Sequence, residues 1–365
     1  KLKQQNNLIF VMMKKLYKTI IVLLLSPIIG FANDDAIITK QKNIKKAFIV
    51  NADAGINITN SYGTVFVTTW DEDKIELDIL IKVSGDSENW VNQRLNDITV
   101  DIIGLKSLVT AKTQIENNNY RSKGRNNSFE INYVIKIPKN GGVTIDNKYG
   151  NVSTSDLNAP TNILCKYGKI TMGRLNSNKN NITIEYCSNS SISYLKNGNI
   201  TGRYSGLSID ALSKIDLISD YTDTTIGDAG DVKYTSKYGT VKIKEVNSLD
   251  GIGNYLTIKV GTLNNQLKLQ TKYSSVDVGL VQAKANSIAI NAGYTGVKVG
   301  FSPNYAFDFD VTLRYADFKY DSDFEFLNKA ETNYTKNFNG YYKKKGVNSV
   351  VITSDYGNVA LTKKL

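Results

Sequence analysis

The groups able to do chemistry are few in this chain, and their spacing decides what they could do. The 365 residues include no histidine. Ser-His-Asp and Cys-His nucleophile systems and His-bearing zinc sites are therefore excluded. Carboxylates gather in three short clusters: Asp71, Glu72 and Asp73; Asp228 and Asp231; Asp308 and Asp310. A polysaccharide lyase or hydrolase on a β-helix needs clustered carboxylates, often on calcium, beside a basic residue. None of these clusters recurs as a column one repeat away. "GDAGD" (227–231) reads as a corner of turn residues and lacks the calcium-binding nonapeptide pattern. The expectation is a protein that is not an enzyme, with no catalytic residues, no metal site and no cofactor. Cys165 and Cys187 could pair in an oxidising compartment or stay as thiols. They differ in phase within the repeat described below, which favours free thiols.

One segment looks suited to binding. Residues 319–346 hold Phe324, Phe326, Tyr334, Phe338, Tyr341 and Tyr342, then Lys343, Lys344 and Lys345. Two readings stand side by side. The aromatics fill a C-terminal plug, or they form a glycan-binding surface. In the second reading rings stack on sugar faces and lysines attract anionic groups, and the ligand-binding candidates are Tyr334, Tyr341, Tyr342, Lys343, Lys344 and Lys345.

Such groups need a scaffold, and the scaffold repeats. Tyr149, Tyr167, Tyr186, Tyr204, Tyr221, Tyr238, Tyr255 and Tyr273 follow one another at intervals of 17 to 19, and Tyr294 and Tyr315 continue the series at 21. Four residues before the tyrosine stand Ile145, Ile163, Ile182, Ile200, Leu217 and Leu269. Two before are mostly small residues, Asn147, Cys165, Gly202, Ser219 and Ser236. Three after come Val152, Ile170, Leu207, Val241, Ile258, Val276 and Val297. Apolar columns also stand five and eight after. Apolar residues at every second position mean strands with one buried face. The phase is even before the tyrosine and odd after it, so the chain must turn a corner there. Glycine at 150, 168, 239 and 357 fits a corner with unusual backbone angles. On this reading the tyrosine points inward and closes the core, with Lys166 and Lys237 outward. The fold expected is all-β: a β-solenoid, β-helix-like, of roughly 18-residue coils. An antiparallel barrel is the rival, but it would not repeat one residue type in one column.

"INITNSYGTVFVTTW" (56–70) fits the same template, and the series resumes at 143. Between them lie longer alternating strands at 74–83, 98–103, 107–115 and 129–138, and one short helix at 87–95 capped by Asp86 or Ser87. This β-rich insertion is expected to cover an open solenoid end. The organisation expected is 1–32 for upstream residues and a cleaved signal peptide, 44–70 for a first strand and coil, 71–140 for the capping insertion, 141–318 for the repeats, and 319–365 for an aromatic excursion and last coil.

The N-terminal segment carries an export pattern. "MKKLYK" (13–18) is basic, "TIIVLLLSPIIG" (19–30) is a short apolar run, and "GFA" (30–32) supplies small residues for cleavage after Ala32. The apolar run is shorter than the ~20 residues of a spanning helix, so no transmembrane segment is expected after cleavage. The net charge of +11 includes five lysines and no acid from the discarded part, which leaves +6. No basic run is dense enough for nucleic acid.

The "VxVTTW"-type coil, an insertion ending in "FEINYVIKIPKNGGVTIDNKYGNV", and Tyr-Gly repeats to the end resemble the bacterial putative-adhesin family of β-strand-repeat cell-envelope proteins. The resemblance covers residues 45–365. It implies an exported β-solenoid, often from a Gram-negative bacterium, and adhesion to a surface glycan or an envelope protein, with no catalytic residues to carry over. Tyr186, Tyr204 and Tyr221 depart from the pattern in lacking the following glycine. The localisation expected is periplasm, outer-membrane surface or extracellular space. The alternative function is a structural or signalling periplasmic component.

Overall fold

A computed structural model describes residues 37–116 and 126–364. The expected signal segment lies outside the described residues. Among the described residues the chain is all-β with one helix, and its strands join in one 23-stranded sheet.

The repeat columns become rows of neighbours. Val143–Lys148 lies parallel on Thr161–Lys166, which lies on Asn180–Glu185, which lies on Ser190–Arg203. That register aligns Ile145, Ile163, Ile182 and Ile200, and the row continues to Leu217. All five are buried, as are Val152, Ile170, Leu207, Val241 and Ile258 after the tyrosines. Each such side chain contributes roughly 1.5–3 kcal/mol of burial free energy, so the alternation fixes which face of each strand is buried. One repeat slips by a residue. Asn189 adopts φ 53° and Ile192, six after Tyr186, pairs with Met172 and Ile209. The strand Gly206–Lys272 runs through the corners at Tyr221, Tyr238 and Tyr255 and includes 227–231.

The first template segment sits where the spacing puts it. Ile56 and Ile58 pair beside Val143 and Ile145, and Val65 beside Val152. The inserted strands take up the opposite edges. Leu108–Ile115 lies parallel on Gly55–Ser61 and is followed by antiparallel Ile98–Gly104. Ser128–Pro138 lies parallel on Val65–Trp70, followed by antiparallel Lys74–Gly85 and Ile38–Ile49. The helix Glu88–Asp97 begins after Ser87, whose Oγ accepts the Trp90 N–H at 3.5 Å.

Three expectations are corrected. First, chain order is not spatial order at the C-terminal end. Ser349–Asp355 pairs in parallel with Ser287–Gly293 on one side and Phe307–Arg314 on the other, so Tyr356, not Tyr315, follows Tyr294. The hairpin Phe324–Glu331 and Thr335–Tyr342 then adds antiparallel strands outside Phe307–Arg314. Alternation alone could not show this, because the two segments carry equivalent patterns.

Second, the tyrosines point outward. Tyr167 is 49% exposed and Tyr238 40%. The reason lies in the backbone: both have left-handed φ, 56° and 57°. One residue in that region breaks the alternation, throws its own side chain out and turns the next residue in.

Third, the glycine after the tyrosine does not carry the unusual angle, save Gly239 at φ 138°. It answers a close approach. A Cβ on Gly150 would lie 1.9 Å from the Gly63 carbonyl oxygen, on Gly168 2.0 Å from that of Gly150, and on Gly357 2.0 Å from that of Thr295. After Tyr186 and Tyr204, where the glycine is missing, a small hydroxyl residue of the neighbouring repeat accepts the backbone N–H. Cys187 N–H donates to Ser205 Oγ at 3.1 Å, and Ser205 N–H to Thr222 Oγ1 at 3.3 Å. The departures at Tyr186 and Tyr204 are thus a second solution to one corner.

Candidate functional site

The corner geometry assembles a surface that column reading did not foresee. Tyr62, Tyr149, Tyr167, Tyr186, Tyr204, Tyr221, Tyr238, Tyr255, Tyr273, Tyr294, Tyr356 and Tyr315 stack in that order. Centroid separations are 4.7–5.1 Å and ring planes lie within 13° of each other. Phe129 closes one end at 5.0 Å and Tyr334 the other at 5.3 Å, both tilted. The spacing follows from the distance between hydrogen-bonded strands. Every one of the twelve has φ between 50° and 62° and stands 40–51% exposed. Ring faces are spent on each other, so the surface offered to a partner is a continuous ridge of ring edges and phenol hydroxyls.

The backbone holds each rung. Tyr149 N–H donates to the Lys166 carbonyl at 2.9 Å, Tyr167 to Glu185 at 3.0 Å, and Tyr294 to Asp355 at 2.7 Å. Residues one before the tyrosines form a charged flank. Along the ladder it reads Ser61, Lys148, Lys166, Glu185, Arg203, Asp220, Lys237, Asn254, Lys272, Gly293, Asp355 and Arg314. Lys166 Nζ lies 2.7 Å from Glu185, Arg203 3.3 Å from the same carboxylate, and Arg314 2.8 Å from Asp355. The Lys166 hydrogen bond, with Arg203 adding its charge, holds the Glu185 carboxyl below the usual range. Desolvation, then the neighbouring Tyr238 and Tyr204, raises the Tyr221 phenol.

The residues singled out from sequence disperse. Tyr334 is exposed and joins the ridge end. Tyr342 is 2% exposed, packed against Phe301, Phe307 and Phe324, with its hydroxyl donating to the Pro303 carbonyl at 3.2 Å. It cannot present a face to a sugar, and Phe324 and Phe338 are buried with it. The plug reading describes these three rings. Strand alternation puts Tyr341 on the opposite, half-buried side. Lys343, Lys344 and Lys345 are exposed, with Lys343 Nζ donating to Asn304 Oδ1 at 3.3 Å.

Five carboxylates of the three clusters take separate partners. Asp71 pairs with Lys139, Glu72 with Lys74 and Asp228 with Lys244. Asp231 accepts from Asn247, and Asp308 from the Gly346 N–H. Among the described residues no group of three His, Cys, Asp or Glu could hold a metal ion. Cys165 and Cys187 are free and buried. The Cys187 thiol donates to the Cys165 carbonyl at 3.3 Å. A hydrogen bond with Cys187, then burial, pushes the Cys165 thiol up.

The tyrosine column was visible in the sequence; its outward direction was not. The signal that could have found it is the glycine or small residue immediately after. That position cannot face a neighbouring backbone unless the tyrosine itself turns away.

No family model matches the chain, and no curated protein matches it. Solved structures do. The chain is similar to a putative cell adhesion protein of Clostridium sporogenes, at 11% identity over 89% of this chain and 100% of that one, with a TM-score of 0.18. It is similar to a putative adhesin of Bacteroides fragilis, at 11% identity over 88% and 97%, TM-score 0.21. A putative adhesin of Parabacteroides distasonis matches at 10% identity over 88% and 97%, TM-score 0.30. No helix among the described residues is long and apolar enough to cross a membrane.

Proposed function

We propose that this chain is an exported, non-enzymatic, adhesin-like protein of the cell envelope. It is a β-solenoid rod that recognises an elongated partner along its tyrosine ridge. The divisions 44–70, 71–140, 141–318 and 319–365 serve as first coil, cap, repeats and closing segment. The export reading rests on the basic, apolar and small-residue pattern of residues 13–32. The non-enzymatic reading rests on the missing histidine and on Asp71, Glu72, Asp228, Asp231 and Asp308, which take separate partners.

One observation carries the recognition reading: twelve tyrosines occupy a left-handed backbone position. That conformation costs a non-glycine residue roughly 1–2 kcal/mol, and glycine or asparagine would pass the corner more cheaply. Stacking returns about 0.5–1.5 kcal/mol per pair, so the ladder about breaks even as a stabilising device. A corner that needed only to turn would not keep a bulky ring there at every level. The ring is explained by what it presents outward, and strained positions of this kind mark functional surfaces. The outward row is evenly spaced over eleven steps of 4.7–5.1 Å, roughly 50 Å in all, which suits a polymeric glycan or a protein of extended form.

The test is a glycan array probed with labelled residues 33–365, wild type against Tyr204→Asn/Tyr221→Asn/Tyr238→Asn. Asparagine tolerates the backbone angle, so the variant keeps its corners. The expected result is a bound signal reduced at least about tenfold in a variant that still unfolds cooperatively. Equal binding by both proteins would remove the ridge as the recognition surface.

A further inference from the structure

The ridge poses a matching problem that few partners can solve. It repeats every 4.7–5.1 Å for twelve rungs, and a partner that touches all of them needs the same period. Strands stacked in a sheet have that period by construction. A second copy of this chain therefore stays in register from end to end. The charged flank then says how the copy sits. We propose that the ridge is a homophilic interface. Two copies pack ridge to ridge in antiparallel sense about a twofold axis that passes between the Tyr221 and Tyr238 rungs. The inference rests on the ridge being the recognition surface and names its occupant.

A twofold axis perpendicular to the ladder lays each flank against the same flank of the other copy in reverse order. Rung one then meets rung twelve, and so inward. Lys148 faces Asp355, Glu185 faces Lys272, and Asp220 faces Lys237. The remaining pairs are Ser61 with Arg314, Lys166 with Gly293, and Arg203 with Asn254. Every pair holds one basic residue, and none brings two like charges together. The flank carries six basic and three acidic residues, so a random order would bring basic residues together in at least one pair far more often than not. The opposite flank, two residues after each tyrosine, also pairs without conflict: Asp223 meets Thr240, Lys169 meets Gly296, and Asp317 meets Thr64. Area is sufficient. Twelve half-exposed tyrosines offer about 1,200 Å² on the scale of ring areas, and a standard interface needs about 800 Å² per partner. Tyrosine edges suit the contact, because each ring buries apolar area while its hydroxyl keeps a hydrogen-bonding role.

Glu185 and Asp355 already hold ion pairs within one copy. The central Asp220 and Lys237 therefore discriminate best, and the axis uses them twice. Sedimentation equilibrium of residues 33–365 reads the association. The expected wild type is a dimer that dissociates in Tyr204→Asn/Tyr221→Asn/Tyr238→Asn. Asp220→Lys sets two like-charge pairs at the axis and should weaken association at least about tenfold. Asp220→Lys/Lys237→Asp restores opposite charges and should return the dissociation constant to within about threefold of wild type. Far-UV circular dichroism confirms that each variant folds. A wild type that stays monomeric to about 100 μM overturns the homophilic interface. So does a charge swap that fails to rescue, or a dimer indifferent to the tyrosine triple. A monomeric wild type that still binds glycan through the ridge sinks this inference alone. Loss of both sinks the recognition reading with it.

Discussion

At the scale of single residues, the Tyr-Gly dipeptide divides its labour in an unexpected way. The tyrosine takes the left-handed angle, and the glycine takes the contact with the backbone of the neighbouring repeat. The two are therefore not equally replaceable. Gly168→Ala puts a methyl 2.0 Å from a backbone oxygen that no rotamer change can move. Tyr167→Asn gives up two stacking contacts and relieves an unfavourable angle. In urea denaturation Gly168→Ala should cost about 2 kcal/mol or more, an overpacking penalty. Tyr167→Asn should cost less than about 1.5 kcal/mol, because stacking loss and angle relief oppose each other. The reverse order would mean that the tyrosine, not the glycine, is the residue the corner depends on.

At the scale of elements, the apolar columns were legible because burial has a strict period. Ile145, Ile163, Ile182 and Ile200 read as one row in the sequence and pair as one row in the sheet. The strands of the insertion and the Ser87-capped helix were legible for the same reason, through clean alternation and a local cap. Three features were not. The direction of the tyrosines depends on φ, which alternation cannot report. The place of Ser349–Asp355 between two earlier segments depends on topology, and equivalent strands are interchangeable to a pattern. The burial of Tyr342 depends on which face of a hairpin meets Phe301 and Phe307. The pairing of the inserted strands supplies a prediction at this scale. Leu108–Ile115 and Gly55–Ser61 are stacked edge to edge above Val143–Lys148. A fragment of residues 141–365 would leave Val143–Lys148 with an open edge, and such edges recruit other strands. Light scattering should show it aggregating where residues 33–365 do not. A soluble, cooperatively unfolding fragment would show that residues 44–140 are not needed as a cover.

At the scale of the whole molecule, one ladder of stacked tyrosines runs from Tyr62, beside Phe129, to Tyr315, beside Tyr334. The fold turns a local corner into a continuous outward ridge, and everything proposed for function depends on that ridge facing solvent. Chemical accessibility of the phenols tests it directly. Tetranitromethane modification read by peptide mass spectrometry separates two sets of tyrosines in one experiment. Ladder members such as Tyr149, Tyr167 and Tyr204 are about half exposed, whereas Tyr133, Tyr234, Tyr305 and Tyr342 are buried. Burial also raises the Tyr133 phenol to about 12, which keeps it from the reactive phenolate form. The measurement should be made at a protein concentration low enough to keep copies apart. The account predicts nitration of the ladder tyrosines while the four buried ones stay unmodified in folded protein. Protection of Tyr149, Tyr167 and Tyr204 to the same degree as Tyr133 and Tyr234 would put the ladder inside the core and contradict it.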